Sequence, residues 1–93
     1  MTIKILQAKL ETPYKFFRYA LAKKMEFSLL DYNEVFSGEV DAEDLDDVFM
    51  MFNDSHPDTM HSMSISDIVI NENGMYYCDS FGWKKINLVD EEG

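Results

Sequence analysis

Two mainly apolar runs, Ile68 to Asn71 and Met75 to Cys78, stand on either side of Asn73-Gly74. That residue pair is what a two-residue type I′ hairpin turn demands, because both of its central positions take positive φ. In that register Glu72 faces Met75 and Ile70 faces Tyr77, while Val69 and Cys78 share the other side. Both sides of the hairpin are then apolar, which makes it a central element of a sheet and not an exposed flap.

The segment before the hairpin carries the other strong pattern. Leu45, Val48, Phe49 and Phe52 recur at i, i+3, i+4 and i+7, one buried stripe of an amphipathic helix. Asp41 reads as its cap, with Glu43 and Asp44 in a first turn where the helix dipole favours anions. Asp46, Asp47 and Met50 then look outward, and Asn53 to Pro57 ends the helix.

Around these two elements the chain reads as follows. Ile3 to Leu10 alternates as a strand. Thr12 is placed to cap a helix with Pro13 at its first position, running to about Met25 with Tyr14, Phe17 and Leu21 inward and Lys15, Arg18 and Lys23 outward. Phe27 to Tyr32 is a connection into a short strand from Asn33 to Val40, where Ser37-Gly38 suggests a bulge or sharp bend. Ser62 to Ser66 is compatible with an extended segment, Gly82 breaks the chain, Trp83 to Leu88 reads as a closing strand, and residues 90–93 as a frayed acidic tail. The expected fold is one α+β domain over residues 1–93: a small, mainly antiparallel sheet with two helices.

Composition bounds the function. The chain has 8 Lys plus Arg against 18 Asp plus Glu, and the imbalance is uneven. Lys4, Lys9, Lys15, Arg18, Lys23 and Lys24 outweigh Glu11 and Glu26 in residues 1–26, whereas beyond residue 26 only Lys84 and Lys85 answer 16 acids. Such a surface repels phosphate backbones and anionic lipid, so neither direct nucleic-acid binding nor a membrane role is expected. No apolar stretch reaches the 18 or so residues that cross a bilayer. With the lone Cys78 unable to form an internal disulfide and no signal-peptide core, a reduced, cytoplasmic setting is expected.

Candidate chemistries are few. His56, Asp58 and His61 do not form a recognised metal-ligand spacing, so no metal or cofactor is expected. Asp46 and Asp47 diverge by about 100° as helix neighbours and do not face each other as a catalytic pair would. Ser64, Ser66, Asp67 and His61 hold the letters of a nucleophilic triad without a nucleophile elbow or oxyanion frame. Their simpler role is to satisfy loop backbone, as is that of Asp79 and Ser80 in the turn before Phe81-Gly82. Met50, Met51, Met60 and Met63 lie near the acidic helix, where an adaptable interface would use them, though core filling and chance account for most of them.

The stretch from that helix through FNDSHPDTMHSMSISDIVINENGMYYCDSFGWKKI resembles the YodL-like domain. The resemblance rests on Phe52 and Asn53 closing the helix, His56-Pro57, the spaced Ser62, Ser64 and Ser66 before Asp67, and Tyr76-Tyr77 with Asp79, Ser80, Phe81 and Gly82. It is good from about Val35 to Ile86 and weaker over the N-terminal third. One departure is the loop Asp58 to His61, which lacks the glycine or basic residue usual before the serines. The resemblance implies an accessory protein of Firmicutes and of their integrative, conjugative or phage-borne elements, and brings no catalytic activity with it.

The resulting expectation is a non-enzymatic interaction module whose Glu43, Asp46, Asp47 and Asp54 present carboxylates to a basic patch on a protein partner. The alternative is a small-ligand or enzymatic domain using the Ser64 to Asp67 loop and the Asp79 to Gly82 turn. A pocket between those loops would favour the alternative, and a convex acidic helix the first reading. Oligomeric state is not encoded in any pattern of the chain.

Overall fold

The computed structural model describes residues 1–25 and 27–86. Its strands are β1 (Thr2–Ala8), β2 (Tyr32–Glu39), β3 (Ile68–Asn71), β4 (Gly74–Cys78) and β5 (Trp83–Ile86), and its helices α1 (Tyr19–Ala22) and α2 (Leu45–Asp54), with a 3₁₀ turn at Leu29–Asp31. The strands form one antiparallel sheet in the order β2-β1-β3-β4-β5. The α+β architecture is therefore as the sequence implies, with β3 in the middle. The expected continuation of β5 to Leu88 and the acidic tail at 90–93 lie outside the described residues.

Alternation along the strands sends side chains to two separate cores. Ile3, Ile5 and Val69 pack on one face with Val48 and Phe52 of α2 and with Met60 and Met63. Ala8, Ile68, Tyr77 and Ile86 pack on the other with Tyr14, Ala22 and Tyr32 from the N-terminal half. The sheet is thus covered on both sides, by α2 on one and by the segment from Thr12 to Asp31 on the other. A strand as central as β3 must be apolar on both faces, and its Ile68 and Val69 are both fully buried.

The α2 stripe holds: Val48 and Phe52 are buried and Leu45 and Phe49 half-buried, with the Phe36 and Phe52 rings 4.9 Å apart. Its start differs from expectation. Asp44, not Asp41, is the cap, because its side chain accepts from Asp47 N at 2.9 Å and so satisfies a free first-turn donor. Asp46 and Asp47 therefore form the first turn in place of Glu43 and Asp44.

Three other local expectations are corrected. The helix from Pro13 to Met25 shrinks to the four residues of α1. Thr12 does not cap it, since its hydroxyl donates to Asp31 O, and the chain breaks at Phe16, whose φ is 71° and whose N–H donates to Ser66 Oγ at 2.9 Å. Tyr14 is fully buried, but Phe17 and Leu21 are exposed to 38% and 40% and form no inward stripe with it.

The hairpin turn lies one residue earlier than expected, which moves the partner of Ile70 by two, from Tyr77 to Met75. Ile70 faces Met75 and Asn71 faces Gly74, so Glu72-Asn73 is the two-residue connection. Asn71 Oδ1 accepts from Asn73 N at 2.8 Å and Gly74 N at 3.2 Å, an Asx turn that makes positive φ at Asn73 unnecessary. Of the pair Asn73-Gly74 only Gly74 has positive φ, at 146°, and a Cβ there would lie 2.9 Å from Lys85 Cε.

Finally, the bulge in β2 is not at Ser37-Gly38, which pair regularly with Lys4 and Ile3. It falls where Ile5 pairs with Phe36 and Leu6 with Glu34, leaving Val35 as the extra residue, so that Val35 and Phe36 both pack toward the α2 core.

Candidate functional site

The outward surface of α2 is the first candidate. Successive residues turn by about 100°, which puts Asp46, Met50, Asp54 and Asp47 in sequence around the side opposite the buried stripe. Asp46 and Asp54 are exposed, Asp47 is half-buried, and Met50 between them is 68% exposed. Glu43, also exposed, is tied to this turn because its N–H donates to Asp47 Oδ2 at 3.0 Å. Glu43, Asp46, Asp47 and Asp54 thus share one side of the molecule, with Asp46 and Asp54 about 12 Å apart along the helix axis at 1.5 Å per residue.

The start of α2 also walls a groove of about 360 Å³, lined by Glu43, Asp44 and Asp46 on one side and by Tyr76 and Trp83 on the other. Trp83 Nε1 donates to Asp46 Oδ1 at 3.1 Å, so the carboxylate and the indole are held together. An aromatic face beside carboxylates suits an ammonium or guanidinium group, which gains both ion pairing and attraction to the ring quadrupole. Sequence reasoning found the acids but missed Tyr76 and Trp83 as part of the same surface. The pairing of Val69 with Tyr76 and of Cys78 with Trp83 brings them to the side of the sheet that α2 covers.

The serine loop and the Asp79 turn do come together, but as structure. Ser66 N donates to Cys78 O and Cys78 N to Asp67 O, lacing the loop to β4. Ser66 Oγ accepts from Phe16 N, Ser66 O from the Tyr32 hydroxyl at 2.6 Å, and Asp79 Oδ1 from Tyr19 N at 3.0 Å and from Ser80 N at 2.8 Å. The N-terminal segment is therefore bound across both loops. The burial of Ser66 at φ 88° shows how closely its neighbours constrain it. Phe81 projects from the turn at 96% exposure beside Gly82 at φ 81°, and His56 is an exposed loop residue next to Pro57.

Asp67 is the centre of a second polar cluster. It is fully buried, its Oδ2 accepting from Gln7 Nε2 and from Ser64 N, each at 2.9 Å. Among the described residues Asp67 Oδ1 and Ser64 Oγ have no hydrogen-bond partner. Burial pushes the carboxyl up to about 6, against the hydrogen bonds from Gln7 and Ser64 and the nearby His61 and Lys15, which favour the charged form. Gln7 in turn clamps His61, donating to its carbonyl at 3.0 Å and accepting from its N–H at 3.1 Å. Lys15 Nζ donates to Ala8 O at 2.6 Å and lies 3.2 Å from His61 Nε2, and burial lowers its pKa. The signal for Gln7 in the sequence was a polar residue between Ile5 and Ala8 in a strand, which points to a buried partner.

Cys78 is buried and its thiol is pushed up to about 12 by burial and by Asp67, Asp79 and Asp46, which disfavours a thiolate. Among the described residues no three His, Cys, Asp or Glu side chains group as metal ligands would. No helix among them is long and apolar enough to cross a membrane.

A family model of the YodL-like domain matches residues 1–88 of the 93, so the similarity extends through the N-terminal third as well. No curated protein and no solved structure shows significant similarity to the chain.

Proposed function

The chain belongs to the YodL-like domain family, and on that premise we propose that it is a non-enzymatic interaction module recognising a basic protein surface. The observation that carries this reading is the groove at the start of α2, where Glu43, Asp44 and Asp46 face Tyr76 and Trp83. A lysine or arginine side chain seated there would be paired by the carboxylates and covered by the rings. Asp47 and Asp54 would extend the contact along the helix, with the exposed Met50 as an adaptable apolar anchor. In its finer form the proposal is a cytoplasmic accessory protein of a mobile element or phage of Firmicutes. Its acidic face would occupy a basic patch on a host protein in counter-defence or transfer.

Trp83 is the single tryptophan of the chain and reports on the groove directly. An oligoarginine peptide should change its emission with saturation, and the affinity should fall steeply with salt. Replacing Glu43, Asp46, Asp47 and Asp54 by Gln or Asn should weaken that binding by about tenfold or more. Equal affinity of the neutralised variant, or no dependence on salt, would reject the reading.

A further inference from the structure

A separate groove of about 230 Å³ opens at the Ala8 end of β1, walled by Lys9, Lys15, Asn33, Asp58 and His61 with the buried Gln7 among its lining. We propose that this groove binds a phosphate monoester group.

The argument begins with donors that the fold leaves unspent. A lysine ammonium has three N–H groups. Among the described residues Lys15 directs one to Ala8 O and one toward His61 Nε2, and Lys9 directs one to Leu30 O at 2.9 Å. That leaves two donors on Lys9 and the side-chain amide of Asn33, which has no partner among the described residues, while the Lys15 ammonium also lies over the Phe16 ring, 4.9 Å from its centroid, and contributes mainly its charge. Thr59 also lines the groove, but its hydroxyl already donates to Val35 O at 2.8 Å and adds nothing. Donors of Lys9 and Asn33 lining one groove beside the charge of Lys15 suit a phosphate, which offers three free oxygens and up to two charges, better than a carboxylate.

The walls are also fixed in advance. Gln7, 3% exposed, holds both the N–H and the C=O of His61 and is itself anchored by the fully buried Asp67. Ser64 N, bound to the same carboxylate, ties the loop beyond His61 to that anchor. The His61 wall therefore requires little ordering when a ligand enters, which lowers one of the usual costs of binding.

Net charge selects the size of the ligand. The chain as a whole carries −10, so a polyanion such as nucleic acid or an anionic bilayer is repelled by the remaining surface. A single phosphate group meets the local field of Lys9 and Lys15, reduced by the buried Asp67 carboxylate that interacts with Lys15. Asp58 on the rim opposes it, and this supplies the sharpest control.

The test is an NMR titration of the ¹⁵N-labelled protein with inorganic phosphate, phenyl phosphate and a phosphoserine peptide, each against sodium chloride at matched ionic strength. Saturable shifts at Lys9, Asn33 and His61 with a phosphate probe, absent with chloride, are expected. Tightest binding of phenyl phosphate would indicate a small-molecule ester and of the peptide a modified protein, whereas tightest binding of inorganic phosphate would overturn the choice of an ester. Asp58→Asn should tighten binding and Lys9→Met weaken it, each by about tenfold, the scale of one charged hydrogen bond. Absence of saturation with all three probes, or unchanged affinity in both variants, would overturn the proposal. The groove shares no residue with the acidic face of α2, so either proposal can fail while the other stands.

Discussion

The two layers that cover the sheet are held on by different physics. α2 sits on its face through a stripe of apolar side chains, with its polar side turned to solvent. The opposite layer, from Thr12 to Asp31, combines a cluster of rings with hydrogen bonds from buried hydroxyls, to backbone carbonyls and to the Asp31 carboxylate. Tyr14 donates to Asp31 Oδ2 at 2.6 Å, Tyr32 to Ser66 O and Tyr77 to Phe17 O, each also at 2.6 Å. The rings of Tyr14, Tyr19, Phe27, Tyr32 and Tyr77 meet mostly edge to face or tilted. Burial and its neighbours raise the tyrosine hydroxyls well above their ordinary range, to about 12 for Tyr14, so they remain donors at any working pH. A layer attached by non-directional burial keeps a regular helix. One attached by directed bonds gives up regularity wherever a bond requires it, as Phe16 does.

If that contrast is right, the largest effects come from the α2 core. Phe52→Ala should cost about 3 to 5 kcal/mol in denaturant unfolding. Phe49→Ala, expected from the stripe alone to cost as much, should cost only about 2 kcal/mol because the side chain is half-buried against Trp83. Equal losses at the two positions would mean that α2 is buried more evenly than its stripe suggests.

Next comes the polar anchor. The carboxyl of Asp67 is raised from 3.8 to about 6 in the folded chain, so the folded state holds its proton more tightly than the unfolded one. Stability from this group is therefore full below about pH 4 and is lost as pH rises through about 6. Relative to Asp67→Asn, the wild type should lose about 2 kcal/mol between pH 4 and pH 7. A pH-independent difference between the two proteins would contradict this.

Tyr77→Phe probes the directed bonds by deleting only the hydroxyl that holds Phe17 O. It should cost about 1 to 2 kcal/mol and speed hydrogen exchange in residues 16–22 more than in α2. Uniform acceleration in both layers would show that the two are not separately attached. The smallest effect belongs to the acidic face. Neutralising Glu43, Asp46, Asp47 and Asp54 while keeping the Asp44 cap should change stability by no more than about 0.5 kcal/mol. A larger loss would make those carboxylates part of the fold and not of its surface.

The same contrast explains how much could be read beforehand. The α2 stripe was legible because Leu45, Val48, Phe49 and Phe52 repeat at the helical period, and the centrality of β3 because Ile68, Val69 and Ile70 are apolar on both faces. The acids of α2 were legible as surface for the complementary reason. Thr12-Pro13 signalled a helix start equally clearly, yet the hydroxyl of Thr12 was taken by Asp31 and the N–H of Phe16 by Ser66, 50 residues away. Asn73-Gly74 signalled a turn, but the side chain of Asn71 moved it one residue earlier.

What the sequence by itself determined is the class of fold, the two main apolar patterns and the uneven charge, all of which depend on side-chain type and local spacing. Tertiary structure alone decided where the N-terminal helix breaks, that Gln7, Lys15, His61 and Asp67 meet, and that Tyr76 and Trp83 face the acids of α2. Those outcomes depend on hydrogen bonds and pairings between residues tens of positions apart. A directed bond exists only once both partners have been brought into place, and no local pattern records it.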